Sequence, residues 1–176
     1  MNSKNSDGCS AFHLACWQGH SEIAEMIMKN SSKLNIDLNS KNNRSISDGW
    51  TAFHFTCFFG HSDIAEMIMK NSSQVKMDLN SKDNDGWTAF QIPCMKGHIA
   101  IVNMMIEQSE SLELDLEAKD NKNKFNSFYG RMLPIVLSRG FKLWHMDNKT
   151  GYQLAKLFER NDIVNLIQMK MPSLAV

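Results

Sequence analysis

Two residue pairs in this chain have the types and spacing of half a metal site: His13 with Cys16, and His54 with Cys57, each three apart and so on one face of a helix. The third place in the same register carries Gln91 with Cys94. An amide is no zinc ligand, yet like a neutral imidazole it both accepts and donates a hydrogen bond. The shared property is hydrogen bonding, so the series is expected to be structural, with no metal. Cys16, Cys57 and Cys94 hold one position in successive segments. Neighbouring helices pack about 8–10 Å apart, whereas a disulfide needs Cα atoms within about 7 Å, so these thiols are expected to be reduced and in the core. The chain has no nucleophile elbow, phosphate loop or pair of catalytic carboxylates. Neither an enzyme nor a cofactor is expected.

These pairs sit inside a phrase that the chain writes three times. Asp7-Gly-Cys-Ser-Ala-Phe-His-Leu-Ala-Cys-Trp-Gln-Gly-His20 is followed by Asp48-Gly-Trp-Thr-Ala-Phe-His-Phe-Thr-Cys-Phe-Phe-Gly-His61 and by Asp85-Gly-Trp-Thr-Ala-Phe-Gln-Ile-Pro-Cys-Met-Lys-Gly-His98. Each copy runs into an apolar tail from Ile23, Ile64 or Ile99, and then into Asp37-Leu-Asn, Asp78-Leu-Asn or Asp115-Leu-Glu. Linked motifs in this order resemble the ankyrin repeat: a turn, a capped first helix, a Gly-His turn, an apolar second helix and a return hairpin. The resemblance is strong over residues 7–120 and weak beyond them. It implies an all-α solenoid of paired antiparallel helices with short β-hairpin fingers, in a single domain over residues 1–176.

Ser10, Thr51 and Thr88 stand where a hydroxyl caps the first helix, and Gly19, Gly60 and Gly97 where a left-handed residue ends it. Ile23, Ala24, Ile27 and their equivalents recur at helical spacing and predict the second helix. The methionines on these second helices are expected to fill irregular gaps in the core. Unit boundaries fall at 1–41, 42–82 and 83–119, followed by a shortened, degenerate unit over 120–146 and a C-terminal unit over 147–176. Asn2 to Gly8 aligns on Asn80 to Gly86, so the chain opens halfway through a unit and reads as a fragment of a longer array or a truncated gene model. About four residues beyond the family period of about 33 lie in each of Lys29 to Ile36 and Lys70 to Met77, and are expected to lengthen the connection after the second helix. A further insertion within Asn42 to Ser47 extends only a finger tip. In the shortened unit Pro134 is predicted to start the second helix; in the last one Glu159-Arg160 replaces Gly-His.

Lysine plus arginine and aspartate plus glutamate number 19 each, so no basic field favours nucleic acid or an anionic membrane. No apolar run reaches the roughly 18 residues that membrane insertion needs, and the first residues lack the apolar core of a signal peptide. A cytoplasmic setting is the default, with the nucleus open, and the sequon-like triplets at Asn30, Asn43, Asn71 and Asn148 are expected to stay unmodified.

As the resemblance implies, function belongs to positions at which the copies disagree although the scaffold agrees. These are the finger positions Cys9, Trp50 and Trp87 and the first-helix positions Trp17 with Gln18, Phe58 with Phe59, and Met95 with Lys96. Tryptophans at exposed finger tips and phenylalanines on an inner helix face would form an apolar strip for a partner protein on the concave face. On that reading Trp50 and Trp87 could both be lost without moving the thermal midpoint, and Phe59 is the ring expected to turn into the stack if one of its pair does. Partner-protein binding without catalysis or a small-molecule substrate is the expectation. The alternatives are a targeting segment of a larger enzyme, channel or ubiquitin-ligase adaptor, a metal-binding array, and a structural spacer.

Overall fold

A computed structural model describes residues 2–43, 49–120 and 149–175. Its helices come in antiparallel pairs. Helix α1 (Ala11–Gln18) packs on α2 (Ser21–Lys29), which is followed by the short α3 (Ser31–Leu34). Then come α4 (Ala52–Phe59) with α5 (Ser62–Val75), α6 (Gln91–Lys96) with α7 (Ile99–Glu107), and α8 (Gly151–Leu157) with α9 (Asn161–Lys170), closed by a 3-10 turn at Pro172–Leu174. First helices stack on first helices and second on second, which leaves one continuous core between the two rows.

The predicted starts and stops form for the predicted reasons. Ser10 accepts the His13 backbone N–H, Thr51 closes a capping box with His54, and Gly19, Gly60 and Gly97 end their helices at φ 76, 76 and 90. The third copy departs from the pattern, since α6 begins only at Gln91. Pro93 has no N–H to give the Ala89 carbonyl, so the first α-turn is missing although Phe90 already has helical torsions.

One expectation is corrected and another is narrowed. The extra residues after the second helix do not lengthen a connection: they add about one helical turn, as α3 in the first unit and as the last turn of α5 in the second. Asn71 Nδ2 and Ser72 Oγ bond back to Met67 and Met69 carbonyls inside α5, so the added polar residues are satisfied in helical conformation. The fingers, in turn, contain no paired strands among the described residues, only single antiparallel bridges at Lys4 with Ser10 and Lys82 with Thr88. An Asx side chain reinforces the backbone bond that closes each finger, Asn5 N–H to the Cys9 carbonyl and Asp83 N–H to that of Trp87. Asn5 Oδ1 accepts the Asp7 and Cys9 N–H groups, and Asp83 Oδ1 accepts those of Asp85 and Trp87.

The same finger closure recurs at Asn42 with Trp50, 2.7 Å, and at Asp120 with Lys149, 2.7 Å. Lys149 therefore occupies the place of Cys9, Trp50 and Trp87, and the unit that it opens packs α8 directly against α6 and α9 against α7. The shortened unit expected over 120–146, with its helix start at Pro134, lies outside the described residues except for Asp120. Much of the finger insertion at 42–47 lies outside them too.

Between units the side chains of the Gly-His turn fit closely. A Cβ on Gly19 would stand 2.6 Å from the His61 ring and one on Gly60 2.7 Å from that of His98, while His61 Nε2 and His98 Nε2 bond the Trp17 and Phe58 carbonyls, each at 3.1 Å. Gly60→Ala must hold φ 76 and displace the His98 ring at once. It is expected to destabilise the chain by upwards of about 1 kcal/mol, seen as a lower urea midpoint. An unchanged midpoint would show that the units do not need this close approach.

Candidate functional site

The residue pair before each Gly-His turn divides between core and surface. Phe58 and Met95 are buried at 5 % and 7 % exposure, whereas Phe59 is 42 % exposed, Gln18 is exposed and Trp17 and Lys96 are half-buried. This reverses the expectation that Phe59 turns into the stack. The Trp17 ring lies nearly parallel to Phe55 and Phe59, at 5.5 and 6.1 Å between centroids. Phe58 continues the surface: its ring is 5.0 Å from Phe59 and lies 4.4 Å beneath the Lys96 ammonium. Trp17, Phe59 and Lys96 thus share one surface, with the buried Phe58 as its floor.

The finger positions are corrected altogether. Trp50 and Trp87, expected at exposed tips, are 1 % and 2 % exposed, and Cys9 is buried as well. Trp50 packs between Phe55 and Phe58, 5.0 and 5.2 Å away, and its indole N–H donates to Asp83 Oδ2 of the next unit at 3.1 Å. Their burial makes these rings scaffold. The partner residue types follow the ring. Trp50 faces Asp83 and Trp87 precedes Asp120, whereas Cys9, which has no indole, precedes Asn42. A carboxylate accepts at both oxygens, while an amide would turn a donor toward the indole N–H.

The histidines of the first helices are ties, as their types suggested. His13 Nδ1 accepts from the Ser10 N–H and hydroxyl, so Nε2 carries the proton and donates to the Trp50 carbonyl at 3.1 Å; His54 repeats this with Thr51 and the Trp87 carbonyl. Burial holds both imidazoles neutral, lowering His13 and bringing His54 down to about 4. Gln91 does the same work with an amide, accepting from Thr88 N–H and donating to the Lys149 carbonyl at 2.7 Å. Cys16, Cys57 and Cys94 are free, fully buried thiols; burial pushes Cys16 up to about 12 and the other two upward as well. No group of three or more histidine, cysteine or acidic residues could hold a metal ion among the described residues.

These caps, cross-unit ties and glycine turns follow the register of one repeat type, and the family comparison agrees with them. A model of three ankyrin repeats matches residues 33–120, and a single ankyrin repeat matches residues 7–43. The chain belongs to the ankyrin-repeat family. No curated protein matches it. Ankyrin repeats are in general protein–protein interaction modules and typically carry no catalysis. In this ankyrin chain no helix among the described residues is long and apolar enough to cross a membrane.

One residue of the surface was missed in the sequence. Arg160 stands where the other units have His20, His61 and His98; its Nε donates to the Met95 carbonyl at 3.0 Å and its Cδ would lie 3.2 Å from a Cβ on Gly97. The substitution of Gly-His by Glu159-Arg160 was the available signal, for Glu159 keeps the left-handed turn at φ 56.

Two predictions rest on the buried fingers. Trp50→Ala should cost about 3–5 kcal/mol, read from urea unfolding, in place of the unchanged midpoint expected for an exposed ring. The second concerns pH. Burial raises the Asp83 carboxyl from its ordinary 3.8 to about 7, against the N–H donors that favour its ionised form. Its contribution to stability is therefore complete below pH 3.8 and lost as pH rises through about 7. His54 has the opposite sign, contributing above 6.5 and losing that contribution as pH falls through about 4. Comparison with Trp50→Phe/Asp83→Asn, which keeps His54 and makes the pair neutral, isolates the carboxyl. The variant should gain stability relative to the wild type between about pH 4 and about pH 7, and a pH-independent difference would remove Asp83 as a titrating group.

Proposed function

We propose that this ankyrin chain binds a partner protein on the inner face of its row of first helices, through Trp17, Gln18, Phe59 and Lys96. The observation that carries the reading is the stacked, part-exposed pair Trp17 and Phe59, which runs without a break across Phe58 to the Lys96 ammonium. Aromatic rings and a cation on a rigid helical row lose little freedom when they are covered, which is why such groups dominate association energies. Phe58 supports this surface from beneath, backed by Trp50, while Trp87 and Met95 are buried and do not contribute to it directly. The free, buried thiols of Cys16, Cys57 and Cys94 fit a reducing, cytoplasmic setting.

The full chain and its Phe59→Ala variant, each tagged and incubated with cell extract, test the reading. At least one protein captured by the wild type should be lost from the variant, whose unfolding free energy falls by no more than about 1 kcal/mol. Identical captured sets from two folded proteins would remove this surface as the binding site.

A further inference from the structure

Among the described residues the cationic end of the surface has no carboxylate paired with it. Lys96 Nζ is held over the Phe58 ring, and Arg160 is held against Gly97 with its Nε on the Met95 carbonyl, so neighbouring cations are positioned by groups that are not anions. Elsewhere Lys29, Lys70 and Lys170 pair with Glu25, Glu66 and Glu107 at 2.8, 2.6 and 2.6 Å. Among the described residues neither Lys96 nor Arg160 has a carboxylate within ion-pair distance. Burial, with the Arg160 charge added, holds the Lys96 ammonium below its usual range. An anion placed between the two cations would relieve both effects.

We infer that the surface takes a peptide segment that lays an apolar or aromatic side chain on Trp17 and Phe59 and sets a carboxylate between Lys96 and Arg160. This rests on the reading of the first-helix row as a protein-binding face and adds the chemistry of the partner. The Phe58 ring joins the two ends, since it touches Phe59 on one side and Lys96 on the other. With 5.0 Å from Phe59 to Phe58 and 4.4 Å from Phe58 to the Lys96 ammonium, the Phe59 ring and that ammonium can be no more than the sum apart, a span of roughly three residues of extended chain. Two cations on a chain of balanced charge suit one or two carboxylates better than the evenly spaced charges of a nucleic acid, which are held by a longer basic track.

A phage library of short random peptides, panned on the full chain, supplies the probe. Enriched peptides should carry an aromatic or large aliphatic residue with aspartate or glutamate about three positions away, and their synthetic forms should lose about tenfold in affinity when the acid becomes its amide. Lys96→Glu should weaken them at least as much, and panning on that variant should favour lysine or arginine instead. Circular dichroism establishes that each variant is folded, and Lys96→Gln serves if the charge reversal is not tolerated. Peptides that need Phe59 but show no acidic preference would overturn the inference and leave the protein-binding surface standing. Failure to enrich any peptide sensitive to Phe59→Ala would overturn both. Binding of a labelled oligouridine, lost on Lys96→Glu and on Phe59→Ala, would reassign the surface to nucleic acid.

Discussion

The hydrogen bond from a first-helix side chain to the backbone carbonyl of the next finger is the contact on which the stack depends. His13 makes it to Trp50, His54 to Trp87 and Gln91 to Lys149. In each case the other polar atom of the same side chain is engaged at its own helix start, so one residue fixes both the beginning of a helix and the position of the following unit. An imidazole can do this only while neutral, and burial keeps it so. The third unit escapes that condition by using an amide, which does not titrate in this range.

A second set of contacts makes the units specific to their neighbours. The Trp50 indole requires an acceptor from the following finger, and Asp83 supplies one at the cost of burying a carboxyl; the Asn42 amide suffices where the preceding residue is Cys9. The glycine turns receive the rings of His61 and His98 and the Arg160 side chain. Close fit leaves few places for a side chain to vary without loss of stacking. Variation is accordingly displaced to the last positions of the first helices, where Gln18, Phe59 and Lys96 reach the surface.

The last unit shows how far the register tolerates change. Its helix start is Thr150 with Gln153, the Gly-His turn has become Glu159-Arg160, and yet Arg160 bonds the Met95 carbonyl of the third unit as the histidines bond the carbonyls before them. Guanidinium and imidazole share a directed N–H and a planar shape, which is what this position uses. Because Asp120 and Lys149 close a finger at 2.7 Å, as Asp83 and Trp87 do at 2.8 Å, the helical stack passes from the third unit to this one without interruption.

The recurrence of residue types was enough to determine the helix starts at Ser10 and Thr51, the left-handed glycines, the reduced cysteine column and the family, since each depends on local conformation or on one repeated position. It also located the rows in which surface and core alternate. Which member of a row is covered was decided only by the tertiary structure. Trp50 and Trp87 look like exposed tips along the chain, yet both are buried: around Trp50 its own first helix supplies the Phe55 and Phe58 rings and the next unit supplies the Asp83 carboxyl. Phe58 and Phe59 are identical in type and adjacent, and a helix turns each residue by about 100° from the last, so only the placement of the neighbouring unit chooses the buried one. Arg160 joins Lys96 across residues far apart in sequence for the same reason: burial and charge proximity are properties of the stack, and a single unit does not contain them.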